Sequence, residues 1–464
     1  MKVFLVYASG YAPETERSMP LGILYLAAYL RHHHGCTVRL FDMQLRIQSP
    51  APVVAAAREF GPDLIGISGM TPDAPALEAL AAALKTALPG VPLLIGGPHA
   101  THYPQELLAR TAADYLVIHE GETALGGFVE YLRGDRPLAD VPNLVFSRHG
   151  EFAHTNAAPY LDDLDALPFP AYDLLDLEAY YRLPRCGVIY RHRRYAAIVT
   201  SRGCPYRCAY CHQVHGKRWR ARSAANVAEE MADLVRRFGI GDFVIMDDLF
   251  NASEARLRQL AEAILERGLK IGLSFPIGLR GDLMTEDGVR WLQRAGMFRC
   301  MYAVETASPR LQELIGKNNN LEKLRHIIEF TRAQGVMVHG SFMLGFPTEV
   351  EAEARATVDW AVASALHTAA FYRVIPFRGT ELYRLAKEAG ARLIDDPKTY
   401  EFHKANVVNV SRIPDGALNR LKRAAYRRFY LSPRRLWAIW RALPNRFRLL
   451  PGLFAIWIRK AFLW

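Results

Sequence analysis

The chain has 464 residues, of which 50% are hydrophobic and 23% charged, and its formal net charge is +11. This length allows hydrophobic cores to form without disulfide staples, and only six cysteines are present, which argues against a disulfide framework. No signal peptide precedes the strand-like start at residues 1–7, so we expect the reducing cytoplasm. Cys36, Cys186 and Cys300 are scattered and are interpreted as buried, reduced thiols.

Residues 1–140 predict a doubly wound α/β domain, because short apolar strands alternate with helical stretches. The predicted strands are residues 1–6, 37–41, 64–68, 92–95 and 115–118. Ligands of this fold lie at the carboxyl edge of the sheet. The candidates there are Ser68, Thr71, Gly96, Gly97, His99, Glu120, Gly121 and Glu122. A generic nucleotide site is the alternative, although no Gly-x-Gly-x-x-Gly follows the first strand.

Residues 141–193 predict a linker, since regular periods are few and the run 161–171 is rich in proline. The segment that follows carries half of the cysteines of the chain, Cys204, Cys208 and Cys211, in a Cys-x3-Cys-x2-Cys cluster. Thiolates are the preferred ligands of iron-sulfur clusters, and three of them leave one iron of a cubane free. Structural zinc with His212 or His215 as fourth ligand is the alternative.

Residues 194–390 alternate strands and amphipathic helices in the pattern of repeated βα units. The predicted strands are residues 195–200, 242–246, 271–275, 299–304, 337–344 and 369–375. Six units fit a partial (βα)6 barrel, whose chemistry lies at the carboxyl ends of the strands. The candidates there are Asp247, Asp248, Arg280, Glu305, Gly345, Glu349 and Pro376. For each lone acid or arginine, an ion pair or a helix cap is the alternative.

The cysteine cluster, with the aromatic Tyr210 just before its last cysteine, resembles the hallmark of the radical SAM superfamily. This resemblance implies a [4Fe-4S] cluster whose free iron chelates S-adenosylmethionine (SAM), and a flavodoxin or ferredoxin as electron donor. It also implies roles at the strand ends. Asp247, or else Asp248, would receive the SAM amino group, Arg280 its carboxylate and Glu305 the ribose, while Gly345 and Pro376 would approach the rest of the cofactor.

The first domain resembles the cobalamin-binding domain of cobalamin-dependent radical SAM proteins, through Pro20-Leu-Gly22, the Gly96-Gly-Pro-His-Ala-Thr101 turn and Glu120-Gly-Glu122. His119 replaces the first glycine of the last motif. The Asp-x-His-x-x-Gly motif of classical cobalamin carriers is absent, so no histidine of that motif should bind the cobalt from below. His99 either approaches the corrin or bonds backbone.

The resemblance implies methylation of an unactivated carbon through a 5′-deoxyadenosyl radical and methylcobalamin. Cyclisation or rearrangement without methyl transfer is the alternative. A small-molecule substrate is expected, and a lipid or a tetrapyrrole would fit the end of the chain described next.

Residues 391–464 predict a helical, basic, tryptophan-rich subdomain. Residues 415–464 contain twelve Lys or Arg residues and one acidic residue, Asp415. The first 414 residues hold 46 basic and 46 acidic residues. Trp437, Trp440, Trp457 and Trp464 are interleaved with this charge, which favours peripheral contact with the inner face of a membrane. A subdomain that closes the barrel is the main alternative, and nucleic acid is the weaker one.

Overall fold

The structure is a computed structural model that describes residues 1–10, 17–45, 49–148, 150–212, 214–393, 408–447, 449 and 452. It divides into two compact units. Unit 1 comprises Met1–Cys186 with Val214–Gly216, and unit 2 comprises Gly187–Gln213 with Lys217–Trp464.

Unit 1 is built on a seven-stranded sheet of order β2-β1-β3-β4-β5-β6-β7, in which the first five strands are parallel and the last two antiparallel. Its strands are β1 (Lys2–Tyr7), β2 (Thr37–Asp42), β3 (Leu64–Ser68), β4 (Leu93–Gly96), β5 (Tyr115–Val117), β6 (Leu144–Arg148) and β7 (Glu151–His154). Its helices are α1 (Leu21–His34), α2 (Pro50–Phe60), α3 (Ala74–Ala87), α4 (Pro98–His102), α5 (Pro104–Arg110), α6 (Glu122–Arg133) and α7 (Leu177–Tyr180).

Helices cover both faces of this sheet, which explains why the central strand β1 reads as a continuous apolar run. Ile23 of α1 and Phe128 of α6 pack in one hydrophobic cluster, and Val53 of α2 and Leu77 of α3 pack in a second. The predicted doubly wound domain is confirmed.

The segment predicted as a linker differs from that expectation. Strands β6 and β7 extend the sheet of unit 1, and unit 1 continues to Cys186 instead of ending near residue 140. Two strands of five and four residues are too short to give a readable period, and β6 is stabilised by pairing with β5, which lies elsewhere in the sequence, while β7 pairs with β6.

Unit 2 is built on a six-stranded parallel sheet of order β15-β14-β13-β12-β11-β8, which follows the chain order. Its strands are β8 (Tyr195–Ile198), β11 (Asp242–Ile245), β12 (Gly272–Leu279), β13 (Met297–Glu305), β14 (Met337–Leu344) and β15 (Thr368–Arg373), with a small ribbon of β9 (Ser201–Arg202) and β10 (Arg220–Ala221). Its helices are α8 (Ala224–Phe238), α9 (Glu254–Glu266), α10 (Glu286–Arg294), α11 (Pro309–Leu314), α12 (Leu321–Ala333), α13 (Glu351–Ala363), α14 (Glu381–Glu388), α15 (Asp415–Tyr430) and α16 (Pro433–Ala442). This is the predicted partial (βα)6 barrel followed by helices.

The remaining cysteines are all free thiols. Cys36 and Cys300 are buried as expected, whereas Cys186 is only half-buried. It lies in the irregular stretch at the end of unit 1, where its N–H bonds the carbonyl of Arg17 and no regular element covers it fully.

Candidate functional site

The three clustered cysteines lie in a loop that begins where β8 and β9 end, at the carboxyl edge of the six-stranded sheet. We call residues 203–212 the cysteine loop. Its middle is fixed by backbone bonds, because the Ala209 N–H donates to the Ile315 carbonyl (2.8 Å) and the Leu382 N–H donates to the Ala209 carbonyl (2.7 Å). The Ala209 side chain is buried in a cluster with Phe346. The loop is therefore held in place by packing as well as by its own turns.

The thiols are close enough to disfavour each other's ionisation. Burial, and then the charges of Cys208 and Cys204, raise the pKa of Cys211 to about 12. Burial also raises the pKa of Cys204. A bound metal cluster would offset the free energy needed to ionise these thiols, since it stabilises the thiolate form.

The donor set fits a cubane, in which each cysteine binds its own iron. Within the described ranges, no group of three or more His, Cys, Asp and Glu side chains is arranged to hold a single metal ion. The histidines considered as a fourth zinc ligand have other partners. His212 Nε2 lies 3.1 Å from the Arg378 carbonyl, and His215 Nδ1 lies 3.5 Å from Glu120 Oε1.

The two acids after β11 have different environments. Asp247 is 3% exposed and accepts bonds from the Thr200 N–H (2.6 Å), the Thr200 hydroxyl (2.5 Å) and the Ser201 hydroxyl (2.6 Å). Burial raises the pKa of Asp247, while the charge of Arg256 opposes this. Asp248 is exposed and accepts the Gly203 N–H (3.1 Å), next to the first cysteine. Asp247 thus fixes the entrance of the loop, and Asp248 is the acid that remains accessible.

Arg280 lies directly against the cysteine loop. Its guanidinium stacks over the ring of Tyr206, 3.8 Å from the ring centroid, and is held by two bonds to Asp282 (3.0 and 2.6 Å) and one to the Lys317 carbonyl (3.0 Å). Asn251 fixes its backbone with two bonds (3.0 and 2.8 Å). Such a rigidly held cation is suited to bind an anion in a fixed geometry.

Glu305, at the end of β13, is 6% exposed and has a left-handed backbone with φ 67°. Its Oε1 accepts the Tyr210 hydroxyl (3.1 Å) and lies 3.8 Å from Lys317 Nζ. Burial raises the pKa of Glu305, and Lys317 opposes that rise. Backbone strain of this kind persists where the surrounding structure demands it, often at functional sites.

The turn after β14 is organised by a buried carboxylate. Glu349 Oε2 accepts the Gly345 N–H (2.5 Å) and the Phe346 N–H (2.9 Å), and burial raises the pKa of Glu349 to about 7. Pro376 follows β15, and the neighbouring Phe377 ring lies 5.4 Å from the His212 ring of the cysteine loop. The segments after the last two strands are thus arranged around the same edge of the sheet as the cysteines.

Near the carboxyl ends of β12, β13 and β14, the buried atoms Arg280 Nη1, Asn319 Oδ1 and Glu349 Oε1 lack a hydrogen-bond partner among the described residues. An unsatisfied buried polar atom is costly, so one donor and two acceptors at successive strand ends fit a polar, zwitterionic ligand. Asn319 was not predicted. The only sequence signal for it is the run Lys317-Asn-Asn-Asn320 after the fourth strand of the barrel.

In unit 1 the predicted residues gather at the carboxyl edge of the sheet. Gly97 has φ 90°, and a Cβ added there would lie 2.7 Å from Ser68 Oγ, so these two turns touch. Gly96 ends β4, and Thr71 is buried in the turn after β3. The close approach of Gly97 to Ser68 leaves no room for a side chain between the turns.

Burial lowers the pKa of both histidines of this edge. His99 is 3% exposed, its Nδ1 has no partner among the described residues, and burial lowers its pKa to about 4. A hydrogen bond from His99 to the backbone was the alternative to contact with the corrin, and Nδ1 makes no such bond to the described residues. His119 has φ 63°, so the residue that replaces a glycine of the resembled motif keeps a backbone conformation that favours glycine.

The acidic turn lies beside these histidines. Glu120 is buried and accepts the Leu161 N–H (2.9 Å) in addition to its pairing with His215. Gly121 precedes α6, and Glu122 is the buried first residue of that helix. Glu120 therefore ties the turn to two other segments of unit 1.

Two family models match the chain. The B12 binding domain matches residues 16–129, and the radical SAM superfamily matches residues 198–361. These ranges fall in unit 1 and in unit 2 and correspond to the two predicted cofactor domains.

Three curated relatives align with most of the chain. An uncharacterized methyltransferase of Pyrococcus horikoshii is 28% identical over 94% of this chain and 93% of its own length. Cytidylyl-2-hydroxyethylphosphonate methyltransferase of Streptomyces wedmorensis is 28% identical over 86% and 83%. Anaerobic magnesium-protoporphyrin IX monomethyl ester cyclase of Rubrivivax gelatinosus is 25% identical over 92% and 76%.

Solved structures share the fold at lower identity. The cobalamin-dependent SAM radical enzyme OxsB superposes with a TM-score of 0.76 at 18% identity, covering 100% of this chain and 72% of that chain. The radical SAM methyltransferase TsrM from Kitasatospora setae superposes with a TM-score of 0.70 at 20% identity, covering 85% and 76%.

Proposed function

The chain belongs to the cobalamin-dependent radical SAM superfamily, and from that premise we propose that it methylates an unactivated carbon of a small molecule. Its cofactors are a [4Fe-4S] cluster, SAM and cobalamin. The observation that carries methyl transfer is the alignment, over 94% of this chain and 93% of the relative, with a protein named as a methyltransferase.

When bound, the cluster and SAM supply a 5′-deoxyadenosyl radical and methylcobalamin supplies the methyl group. In this proposal Cys204, Cys208 and Cys211 hold three irons of the cluster. Asp248 receives the SAM ammonium, because its carboxylate is exposed beside the cysteine loop while that of Asp247 is already occupied. Arg280 binds the SAM carboxylate through Nη1, which is buried and has no partner in the part of the chain that the structure describes.

The remaining predicted residues have supporting roles in the proposal. Glu305 orients Tyr210 and faces the ribose, and the turns that contain Gly345 and Pro376 bring backbone close to the rest of SAM. In unit 1, Gly97 and the carboxyl edge around it would accept the corrin, with His99 neutral at physiological pH.

Methyl transfer can be tested without knowledge of the substrate. Enzyme reconstituted anaerobically with iron, sulfide and cob(I)alamin is given methyl-labelled SAM, and the enzyme-bound cobalamin is analysed by mass spectrometry. Methyl transfer predicts labelled methylcobalamin. Formation of 5′-deoxyadenosine without any labelled methylcobalamin would contradict the proposal.

Cyclisation without methyl transfer is the second candidate, favoured by the alignment with the magnesium-protoporphyrin ester cyclase of Rubrivivax gelatinosus. It predicts 5′-deoxyadenosine but no methyl label in any product. Either reaction needs a one-electron donor, and a flavodoxin or a ferredoxin is proposed.

We further propose peripheral contact with an anionic membrane surface through α16 and its flanks, which suits a lipidic or tetrapyrrole substrate. Leu431, Leu436, Trp437 and Phe447 are 63%, 39%, 61% and 83% exposed. Arg434 and Arg441 lie among them, and no acid follows Asp415. Exposed tryptophan and leucine with unopposed arginine is the pattern of interfacial helices. Phe454, Trp457, Phe462 and Trp464 lie outside the described residues.

Among the described residues, no helix is both long and apolar enough to cross a bilayer. Flotation with vesicles that contain phosphatidylglycerol, compared with pure phosphatidylcholine, tests surface binding. The double variant Leu436→Ser, Trp437→Ser should reduce flotation with anionic vesicles, whereas Phe152→Ser, which removes an exposed aromatic of unit 1, should not. Equal flotation of all three proteins would contradict membrane binding and favour a subdomain that closes the barrel. Binding to single-stranded nucleic acid, without binding to vesicles, would favour nucleic acid as the partner.

A further inference from the structure

Lys317 is a buried cation that runs alongside the cysteine loop. It follows α11 in a tight turn, where the Ile315 carbonyl accepts the Ala209 N–H and Gly316 has φ 62°. A Cβ added at Gly316 would lie 3.1 Å from the Arg207 carbonyl oxygen. The turn that carries Lys317 therefore lies against the backbone on both sides of Cys208, at Arg207 and Ala209.

The ammonium of Lys317 has one acidic partner at this position. Its Nζ lies 3.8 Å from Glu305 Oε1, and both side chains are 8% exposed. The same carboxylate oxygen accepts the hydroxyl of Tyr210, the residue before Cys211. The lysine, the glutamate and the tyrosine form a buried chain of contacts that ends at Tyr210, the residue next to the last cysteine in the sequence.

The charge of Lys317 lies beside the cysteine loop, because Lys317 directly follows Gly316, whose added Cβ would lie 3.1 Å from the Arg207 carbonyl oxygen. The other nearby cations are positioned differently. Arg280 is already paired with Asp282 through two bonds, and Lys217, which donates to the Tyr206 carbonyl (2.6 Å), is only half-buried, so water screens its charge more than that of Lys317.

We propose that Lys317 is a positioning residue that raises the reduction potential of the [4Fe-4S] cluster, and that Glu305 moderates this effect. Reduction adds one electron, supplied by an external one-electron donor such as dithionite or a flavodoxin, and no bond forms or breaks. A buried cation close to the cluster stabilises the form with the extra electron, since local charge and burial are among the factors that set such potentials.

The expected shift in reduction potential depends on the cluster alone and not on methyl transfer. This proposal and the proposed methyl transfer can therefore fail separately. The test uses the full chain reconstituted with iron and sulfide, without SAM or cobalamin, and follows the reduced cluster by electron paramagnetic resonance during a redox titration. Lys317→Gln should lower the ratio of reduced to oxidised cluster about tenfold at a fixed solution potential, which is about 59 mV for one electron. Glu305→Gln should shift the ratio in the opposite direction.

Two further variants separate charge from structure. Lys317→Arg keeps the charge and should keep the potential, and Lys270→Gln removes an exposed lysine and should change nothing. An unchanged potential in Lys317→Gln at full iron content would overturn the proposal, as would an equal shift in Lys317→Arg. If Lys317→Gln loses its iron, the measurement on Glu305→Gln tests the proposal instead. The proposal requires a higher reduction potential in Glu305→Gln than in the wild-type chain and fails without it.

Discussion

The hydroxyl of Tyr430 both donates to the backbone carbonyl of Ala369 (2.7 Å) and accepts that residue's N–H (2.9 Å). One turn earlier on α15, the Tyr426 hydroxyl makes the same pair of contacts with Phe371 (3.4 and 3.0 Å). Four helical residues span about 6 Å and two strand residues about 6.6 Å, so the two spacings match. The helix thereby satisfies the outer edge of β15, which another strand would otherwise pair.

Removal of the Tyr430 hydroxyl should therefore destabilise unit 2. Tyr430→Phe leaves a buried N–H and C=O of Ala369 without a partner, at a cost of about 2 kcal/mol in the free energy of unfolding. The same deletion at Tyr372, which is 37% exposed on the same strand, should cost much less because that side chain is open to water. Urea denaturation of both variants measures the difference, and equal losses would contradict the edge-capping role.

Substitution of Gly97 should damage the carboxyl edge of unit 1 through a clash. Gly97→Ala places a Cβ 2.7 Å from Ser68 Oγ in addition to the strain of φ 90°. Gly134→Ala has nearly the same φ, 86°, but a ψ of 6° in place of −172°, and no atom lies within 4 Å, so it measures the strain of an unhindered left-handed position, about 1 kcal/mol. We expect Gly97→Ala to lose clearly more stability and to bind cobalamin more weakly, measured by thermal unfolding and by dialysis with hydroxocobalamin.

A second substitution checks the cause of this effect. In a Ser68→Gly background the clashing oxygen is absent, so Gly97→Ala should recover part of the lost stability. No recovery would place the clash at the Gly69 carbonyl, 3.2 Å from the added Cβ, instead of at Ser68.

The titration of Glu349 gives a pH prediction. Burial raises the pKa of Glu349 to about 7, above its usual value of about 4.3. The folded state then binds a proton that the unfolded state has released, so the stability contributed at this site falls as pH rises through that window. Glu349→Gln keeps an oxygen for the Gly345 and Phe346 amides and removes the titration. Relative to the wild-type chain, the variant should gain stability from about pH 5 to about pH 8, on the order of 2 kcal/mol, in urea denaturation at each pH.

The groups that act on Glu349 include Glu353, which raises its pKa, and Arg310, which lowers it. Glu353 is held by Arg310 and has a pKa lowered to about 2, so it stays ionised across this range. A stability difference between Glu349→Gln and the wild-type chain that does not change with pH would show that Glu349 is already ionised at about pH 5.

The two acids after β11 should separate into structural and ligand-binding roles. Asp247→Asn turns one acceptor oxygen into a donor that faces the hydroxyls and the N–H of Thr200 and Ser201, at a cost of about 3 kcal/mol. We expect lower stability and lower iron content after reconstitution. Asp248→Asn should fold and hold its iron normally but bind SAM about tenfold more weakly by equilibrium dialysis. Unchanged SAM binding in Asp248→Asn would contradict this assignment. It would indicate that Asp247 binds the SAM ammonium.

Much of the fold could be predicted because its signals are local. The six barrel strands are short apolar runs separated by amphipathic helices, and each lies within a few residues of its predicted range. The short strands β6 and β7, at one end of the sheet, were missed because their pairing, and not their sequence, stabilises them.

The site was predicted to the level of strand ends and no further. Asp247 and Asp248 are adjacent in sequence and both follow the end of β11 at Ile245, so only the structure shows which carboxylate is occupied. Tyr426 and Tyr430 likewise appear in the sequence only as aromatic residues of a basic helix. Their hydroxyls gain a role because the exposed edge of β15 lies beside that helix.

The sequence by itself determined the cysteine cluster and the two cofactor domains, because ligand spacing and apolar periodicity are properties of short segments. Tertiary structure alone decided that Lys317 and Glu305 form a buried pair beside Tyr210, and that Arg280 stacks on Tyr206. These contacts join segments far apart in the chain. Their distances and their burial set the strength of each charge, and neither is encoded in the spacing of residues along the sequence.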